Sequence, residues 1–155
     1  MPESVSQNFN HLKIHTQYSI CEGAARIDDL QEYSKKNKIK SLGLCDTSNL
    51  CGALEFAEKI SKSGTQPIIG TQINFKIGET TGLLPLFALN EAGYKNIIEL
   101  SSLSYLENDE LSDPHVDFEF LLLVEFQTLR SFQQIQALHI NLKCHTNQAI
   151  LFYFS

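Results

Sequence analysis

The feature that most constrains this chain is an alternation of short strand-like runs with helix-periodic stretches over its first hundred residues. A strand-like piece, His11 to Thr16, is followed by a polar turn region and a helix predicted from about Ala25 to Asn37. In that helix Ile27, Leu30 and Tyr33 recur every third residue, and Asp28 and Asp29 stand near its start with Lys35, Lys36 and Lys38 near its end, as the helix dipole favours. The apolar run Ser41 to Cys45 ends in Asp46. A second helix, about Leu50 to Lys62, places Leu50, Ala53, Leu54, Ala57 and Ile60 on one face before Gly64 stops it. A third strand opens at Pro67 and runs through Ile73 and Phe75, its alternation with Gln72, Asn74 and Lys76 predicting one buried and one wet face. Gly78 and Gly82 frame a hairpin-like turn, and Leu83 to Leu89 is a strand interrupted by Pro85. Asn90 caps a helix from Glu91 to Leu103 with Tyr94, Ile97 and Ile98 inward, and Phe120 to Val124 reads as one more strand.

This is an α/β chain, a βα repeat with an inserted hairpin. Parallel strands joined by helices imply right-handed crossovers and a ligand site beyond the carboxyl ends of the strands, in an open sheet or a barrel alike. His15, Asp46 and Gln72 fall at or near such ends. Each taken singly reads more readily as a satisfied structural group; their convergence by topology is what makes them a candidate site.

The length of 155 residues fits one ordinary domain. With 43% hydrophobic and 19% charged residues and a net charge of -6, the chain is expected to be folded and mildly acidic, which speaks against a general nucleic-acid binder. The charge is uneven. All 18 acidic residues and 10 of the 12 basic ones lie at or before Glu125, whereas residues 126–155 carry Arg130 and Lys143 and no acid. The last glycine is Gly93 and the last proline Pro114. A domain end, a divergent helix or a terminus altered by truncation or frameshift would each give such a change. Cys21, Cys45, Cys51 and Cys144 form no C-x-x-C pair and read as scattered reduced thiols. No signal segment opens the chain, and its apolar stretches are too short to cross a bilayer, so no membrane association and a cytoplasmic location are expected.

The segments FNHLKIHTQYSICEG, LGLCDTSNLCGALEFAEK and QPIIGTQINF, followed by LLPLFALNEAGYKNIIELSSLSY, resemble the amino-terminal polymerase-and-histidinol-phosphatase (PHP) domain of bacterial DNA polymerase III alpha subunits. The likeness is marked from Phe9 to about Tyr105 and weaker to about Val124, which divides the chain into a partial PHP domain over 9–125 and a divergent tail over 126–155. The resemblance implies a distorted β/α barrel of which this chain holds the first part. A barrel cut midway leaves strand edges that must be covered. Leu138 to Ile140 and Ala149 to Phe152 are apolar pieces of the tail suited to that, with self-association as the other route.

Metal-dependent members of the wider family hydrolyse phosphoesters with a cluster of His, Asp and Glu ligands, where a divalent metal acidifies a water and clamps phosphate oxygens. The resemblance puts Lys13 and His15 at the first ligand motif, an H-x-H, Asp46 and Thr47 at the second, an Asp-His, and Gln72 at the Glu of the third. A protonated Lys cannot coordinate, and Thr or neutral Gln binds zinc or manganese poorly. These five positions therefore read as a vestigial metal site with His15 and Asp46 as its remaining ligand types. No catalytic residue and no cofactor are expected, zinc or manganese entering only if that site is competent. His11, Tyr18 and Gly70 are read as supporting or structural positions.

The resemblance further implies a role in DNA replication as a non-catalytic scaffold or interaction element, with the proofreading subunit or the remaining polymerase domains as partners. The polymerase core is absent from this chain, so nucleotide transfer by it alone is not expected. A small metal-dependent phosphoesterase and an independent protein-binding module are the alternatives. Lys35 to Lys40 reads as a solvated helix end, and Phe118, Phe120, Phe126 and Phe132 as core or interface groups, no basic groove accompanying them; direct DNA binding is expected to be weak or absent.

Overall fold

The structure, a computed structural model, describes residues 10–108, 112–118 and 152–154. In chain order the elements are α1 (Ile27–Asn37), β1 (Ser41–Thr47), α2 (Ala53–Lys62), β2 (Gln66–Ile77), β3 (Thr80–Ala88), α3 (Glu91–Leu106), β4 (Val116–Asp117) and β5 (Phe152–Phe154). They form a mixed α/β arrangement around one sheet of order β1-β2-β3-β5, with β4 beside the far end of β2. β1 and β2 run parallel, Asp46 opposite Thr71 and Thr47 opposite Gln72, and β2 and β3 are antiparallel. The α/β class expected from the alternation is what the chain adopts, and among the described residues the sheet is open rather than closed into a barrel.

The helix ends follow local chemistry. α1 carries Asp28 and Asp29 in its first turn and Lys35 and Lys36 in its last, and the left-handed Lys38 ends it by turning its N–H back to the Ser34 carbonyl. Gly64, at φ +75°, follows α2 with the left-handed freedom that stops a helix. α3 is capped by Asn90, whose side-chain oxygen accepts from the Gly93 N–H at 2.8 Å. The β2–β3 turn has Gly78 at φ +59° in its first central position, the glycine-first arrangement that matches strand twist in a two-residue hairpin.

The core has two lobes. Ile27, Leu42, Leu44, Ala53, Phe56 and Ile60 fill the space between the first two helices and β1, while Ile73, Phe75, Leu86, Ile97, Leu100 and Val116 lie under α3; Leu50 packs against both. Complete burial of a Phe or Ile side chain contributes roughly 1.5–3 kcal/mol, so these lobes dominate the stability. Phe118 meets Phe75 edge to face at 6.5 Å, in keeping with a core assignment.

Several expectations are corrected. Leu54 and Ile98 are exposed, at 73% and 42%, and Tyr33 at 46%, whereas Phe56 and Leu100 turn inward. An apolar residue beside the buried stripe of a helix satisfies the periodicity nearly as well as one within it, and packing decides between them. Gln72 is buried, not wet, because its amide is bonded to the neighbouring strand. Pro85 does not interrupt its strand: β3 runs through it, opposite Gln72. His11 to Thr16 forms no continuous strand. It lies along β1 through the bridge Ile14–Leu44 and two bonds, Gly43 N–H to the His11 carbonyl (2.7 Å) and Cys45 N–H to the Ile14 carbonyl (2.8 Å). This approach is so close that a Cβ at Gly43 would stand 2.2 Å from the Leu12 carbonyl oxygen. Phe120 to Val124, Leu138 to Ile140, Ala149 to Leu151, Phe126, Phe132 and Cys144 lie outside the described residues.

Candidate functional site

At the carboxyl end of β1 the chain turns sharply, with Ser48 at φ +53°, and the loop from Thr16 to Gly23 folds over that end. Asp46, fully buried, is the loop's anchor. Its Oδ1 accepts from the Thr16 backbone N–H (2.6 Å) and the Ser19 hydroxyl (2.7 Å), and its Oδ2 accepts from the Thr16 hydroxyl (2.7 Å). A carboxylate has about four lone-pair sites, so three donors from one loop leave it little capacity. Its backbone carbonyl accepts from the Thr71 hydroxyl (2.6 Å), tying β1 to β2 once more. The loop is tight enough that a Cβ at Gly23 would stand 2.1 Å from the Thr16 carbonyl oxygen.

Beside the anchor lies a second polar group of different character. The Gln72 Nε2 donates to the Thr47 hydroxyl (2.7 Å), which in turn donates to Glu22 Oε2. A hydroxyl has one proton to give; with that proton on Glu22, Thr47 receives from Gln72, and the Gln72 Oε1 is left as an acceptor. That oxygen is buried with no hydrogen-bond partner among the described residues, and so is His15 Nδ1, which stands 3.8 Å from Glu22 Oε2. Gln72 and Thr47 are thus linked by hydrogen bonds to Glu22, with His15 beside that carboxylate, while Asp46 is turned to Thr16 and Ser19. Lys13 is exposed and acts on the Cys45 thiol, which burial pushes up to about 12 against the pull of that ammonium and with the help of Asp46.

The supporting positions are placed as follows. His11 is exposed, its carbonyl on Gly43. Tyr18 lies against Gly52, where a Cβ would stand 2.7 Å from its ring, and its hydroxyl donates to Glu55 Oε2 at 2.7 Å. That bond, followed by burial and the Glu55 charge, holds the phenol above its ordinary range, and Lys59 and Tyr18 hold the Glu55 carboxyl below its own. Lys59 also binds Asp28, so one cation joins α1, α2 and, through Glu55 and Tyr18, the loop. Gly70 permits close approach to β3: a Cβ there would stand 2.4 Å from the Leu86 carbonyl oxygen. Thr16 and Glu22 were not singled out from sequence. Their signal was a pair of polar side chains bounding the loop immediately after His15, opposite a strand ending in an acid.

Among the described residues, the side chains at the implied positions do not fit the divalent-metal centre that the resemblance implies. Lys13, Thr47 and Gln72 supply no anionic or imidazole donor, Asp46 is engaged by three protein donors, and His15 with Glu22 makes two ligands. Among the described residues no three His, Cys, Asp or Glu side chains converge. What the arrangement does provide is a hydrogen-bonded clasp over the strand ends.

Comparison with known proteins identifies the family of this chain. The PHP domain family matches over residues 11–154. The DNA polymerase III subunit alpha of Rickettsia felis is 40% identical over 120 residues, 77% of this chain and 10% of that protein, and that of Caulobacter vibrioides 38% identical over 125 residues, 75% and 11%. The chain therefore spans about a tenth of the length of these relatives. Among solved structures, a Bifidobacterium adolescentis protein provisionally described as a metal-dependent phosphoesterase aligns with a TM-score of 0.46 at 18% identity, over 61% of this chain and 34% of that one. On the strength of the match over residues 11–154, the chain belongs to the PHP domain family.

Proposed function

We propose that this chain serves bacterial DNA replication as a PHP domain of the polymerase alpha type, a cytoplasmic scaffold or interaction element rather than a phosphoesterase. The observation that carries this reading is Asp46: the acid best placed to hold a metal instead closes the 16–23 loop with three hydrogen bonds. A carboxylate in that role fastens the loop to the end of β1 without a metal, and a pre-organised surface lowers the ordering cost of binding a partner. The similarity to polymerase alpha subunits supplies the replication context, and it makes the proofreading subunit and the remaining polymerase domains the partners to test. The division into a PHP portion over 9–125 and a divergent tail over 126–155 belongs to the same reading.

The experiment combines metal analysis with a pull-down. The purified chain is expected to hold no stoichiometric zinc or manganese, to leave p-nitrophenyl phosphate intact with either metal added, and to retain the proofreading subunit at micromolar concentration. Stoichiometric metal lost in His15→Ala, together with hydrolysis, would replace the scaffold with a small metal-dependent phosphoesterase. Failure to retain the proofreading subunit or the remaining polymerase domains would favour a binding module unconnected with replication.

A further inference from the structure

The outer edge of β3 is uneven. Toward the hairpin turn, Thr80 to Leu83 are exposed, and polar or flexible residues dominate. Beyond Pro85 the strand changes: Leu86 and Phe87 are buried and Ala88 half-buried, and Leu86 belongs to the lobe under α3. β2 takes one side of this stretch, through Gly70–Phe87 and Thr71–Leu86. The other side would present open N–H and C=O groups in an apolar setting, the kind of edge that recruits foreign strands. The structure puts β5 there, parallel to β3, with Leu86 opposite Phe152, Phe87 opposite Tyr153 and Ala88 opposite Phe154.

We propose that the β3 edge over Leu86–Ala88 is a strand-acceptor site whose occupant is the chain's own Phe152–Phe154, docked in parallel and in cis. Four observations converge on this occupant. The paired stretch coincides with the apolar part of β3 and starts immediately after Pro85, a residue that has no N–H to give a ladder. Phe-Tyr-Phe has the aromatic composition that strands favour. No acid occurs after Glu125, and Lys143 is the last base, so no charge guards the terminal apolar run against strand pairing. Finally, the 33 residues from 119 to 151 give the chain ample length to return to the sheet. The acceptor site is separate from the clasp and does not depend on the function proposed above.

Register-specific crosslinking in the full chain tests this. With Cys21, Cys51 and Cys144 replaced by Ser, the pair Ala88→Cys/Phe154→Cys stands directly in register, and Ala88→Cys/Phe152→Cys is displaced by two residues. Paired strands bring opposed Cα atoms within the span of a disulfide, and a two-residue offset takes them out of it. Under a mild thiol oxidant such as diamide, the in-register pair is expected to close within one chain at least tenfold faster than the offset pair. Equal rates, or no intrachain bond, would overturn the parallel pairing; bonds formed only between chains would overturn the cis occupant in favour of a second copy. A second measurement guards against damage by the cysteines: in the unmodified chain, the backbone amides of residues 86–88 are expected to exchange faster when residues 152–155 are deleted while those of β1 stay protected. Unchanged exchange at 86–88 would count against the site.

Discussion

Two halves of one polar cluster, on neighbouring strands, have been treated differently. Around Asp46 every donor in reach is matched, and the carboxylate fastens a loop that begins thirty residues earlier in the chain. Around Gln72 two buried atoms, its own Oε1 and His15 Nδ1, have no hydrogen-bond partner among the described residues. The first half is a frame and the second is incompletely satisfied. A frame tolerates almost no chemical change, because each lost acceptor strands a buried donor; the second half should tolerate more.

The largest expected effect breaks the frame. Asp46→Ala leaves the Thr16 N–H and the Thr16 and Ser19 hydroxyls without their acceptor, and at roughly 1–3 kcal/mol for each unsatisfied buried group the loss should be about 4 kcal/mol in urea unfolding. A loss below that of the Gln72 variant would invert the comparison. Next comes Gly43→Ala, which forces a methyl against the Leu12 backbone. Overpacking of this kind costs about 1–3 kcal/mol, and a shift of the 11–16 segment should appear as faster amide exchange at Gly43 and Cys45. Gln72→Leu removes the unpaired oxygen together with the bond to Thr47, so its cost should be about 1 kcal/mol or less by the same denaturation.

The smallest effect concerns the cation outside the cluster. Lys59 lowers the pKa of both Asp28 and Glu55, chiefly through its hydrogen bonds to them. Carboxyls whose folded pKa is depressed add stability above their unfolded pKa and lose it as pH falls through the folded one. Lys59→Met should therefore leave stability below the lowered carboxyl pKa values nearly unchanged and reduce it slightly at neutral pH. Added salt should shrink even that difference, since all three groups are partly exposed.

What could be read in advance follows from the same physics. All three helices and the strands at residues 41–47 and 66–77 announced themselves through periodicity and caps, which are local. The polar wall of the site was half legible: of the three residues expected at strand ends only Asp46 stands at one, while Gln72 lies within β2 level with the carboxyl end of β1 and His15 precedes the loop outside any continuous strand, yet the three do come to the same end of β1. Thr16 and Glu22 were missed because a loop residue's partner is set by how the loop folds back, which no period encodes. Gln72 was misjudged for a related reason: alternation assigns it to the wet face, and only the hydroxyl of Thr47 one strand away makes its burial acceptable. β4 and β5 are two and three residues long, too short to carry a pattern.

The reach of the Asp46 bonds has a consequence for the order in which the molecule is made. Its side-chain partners lie at Thr16 and Ser19, its backbone partner at Thr71, and the Glu22–Thr47–Gln72 relay ends one residue later. A chain emerging from its amino terminus thus carries every one of these groups once Gln72 has been added, before the hairpin's second strand or α3 exists. The Tyr105 hydroxyl, which donates to the Ser48 carbonyl from 57 residues away, arrives last. The clasp can be fastened early, and α3 then locks a turn that is already in place.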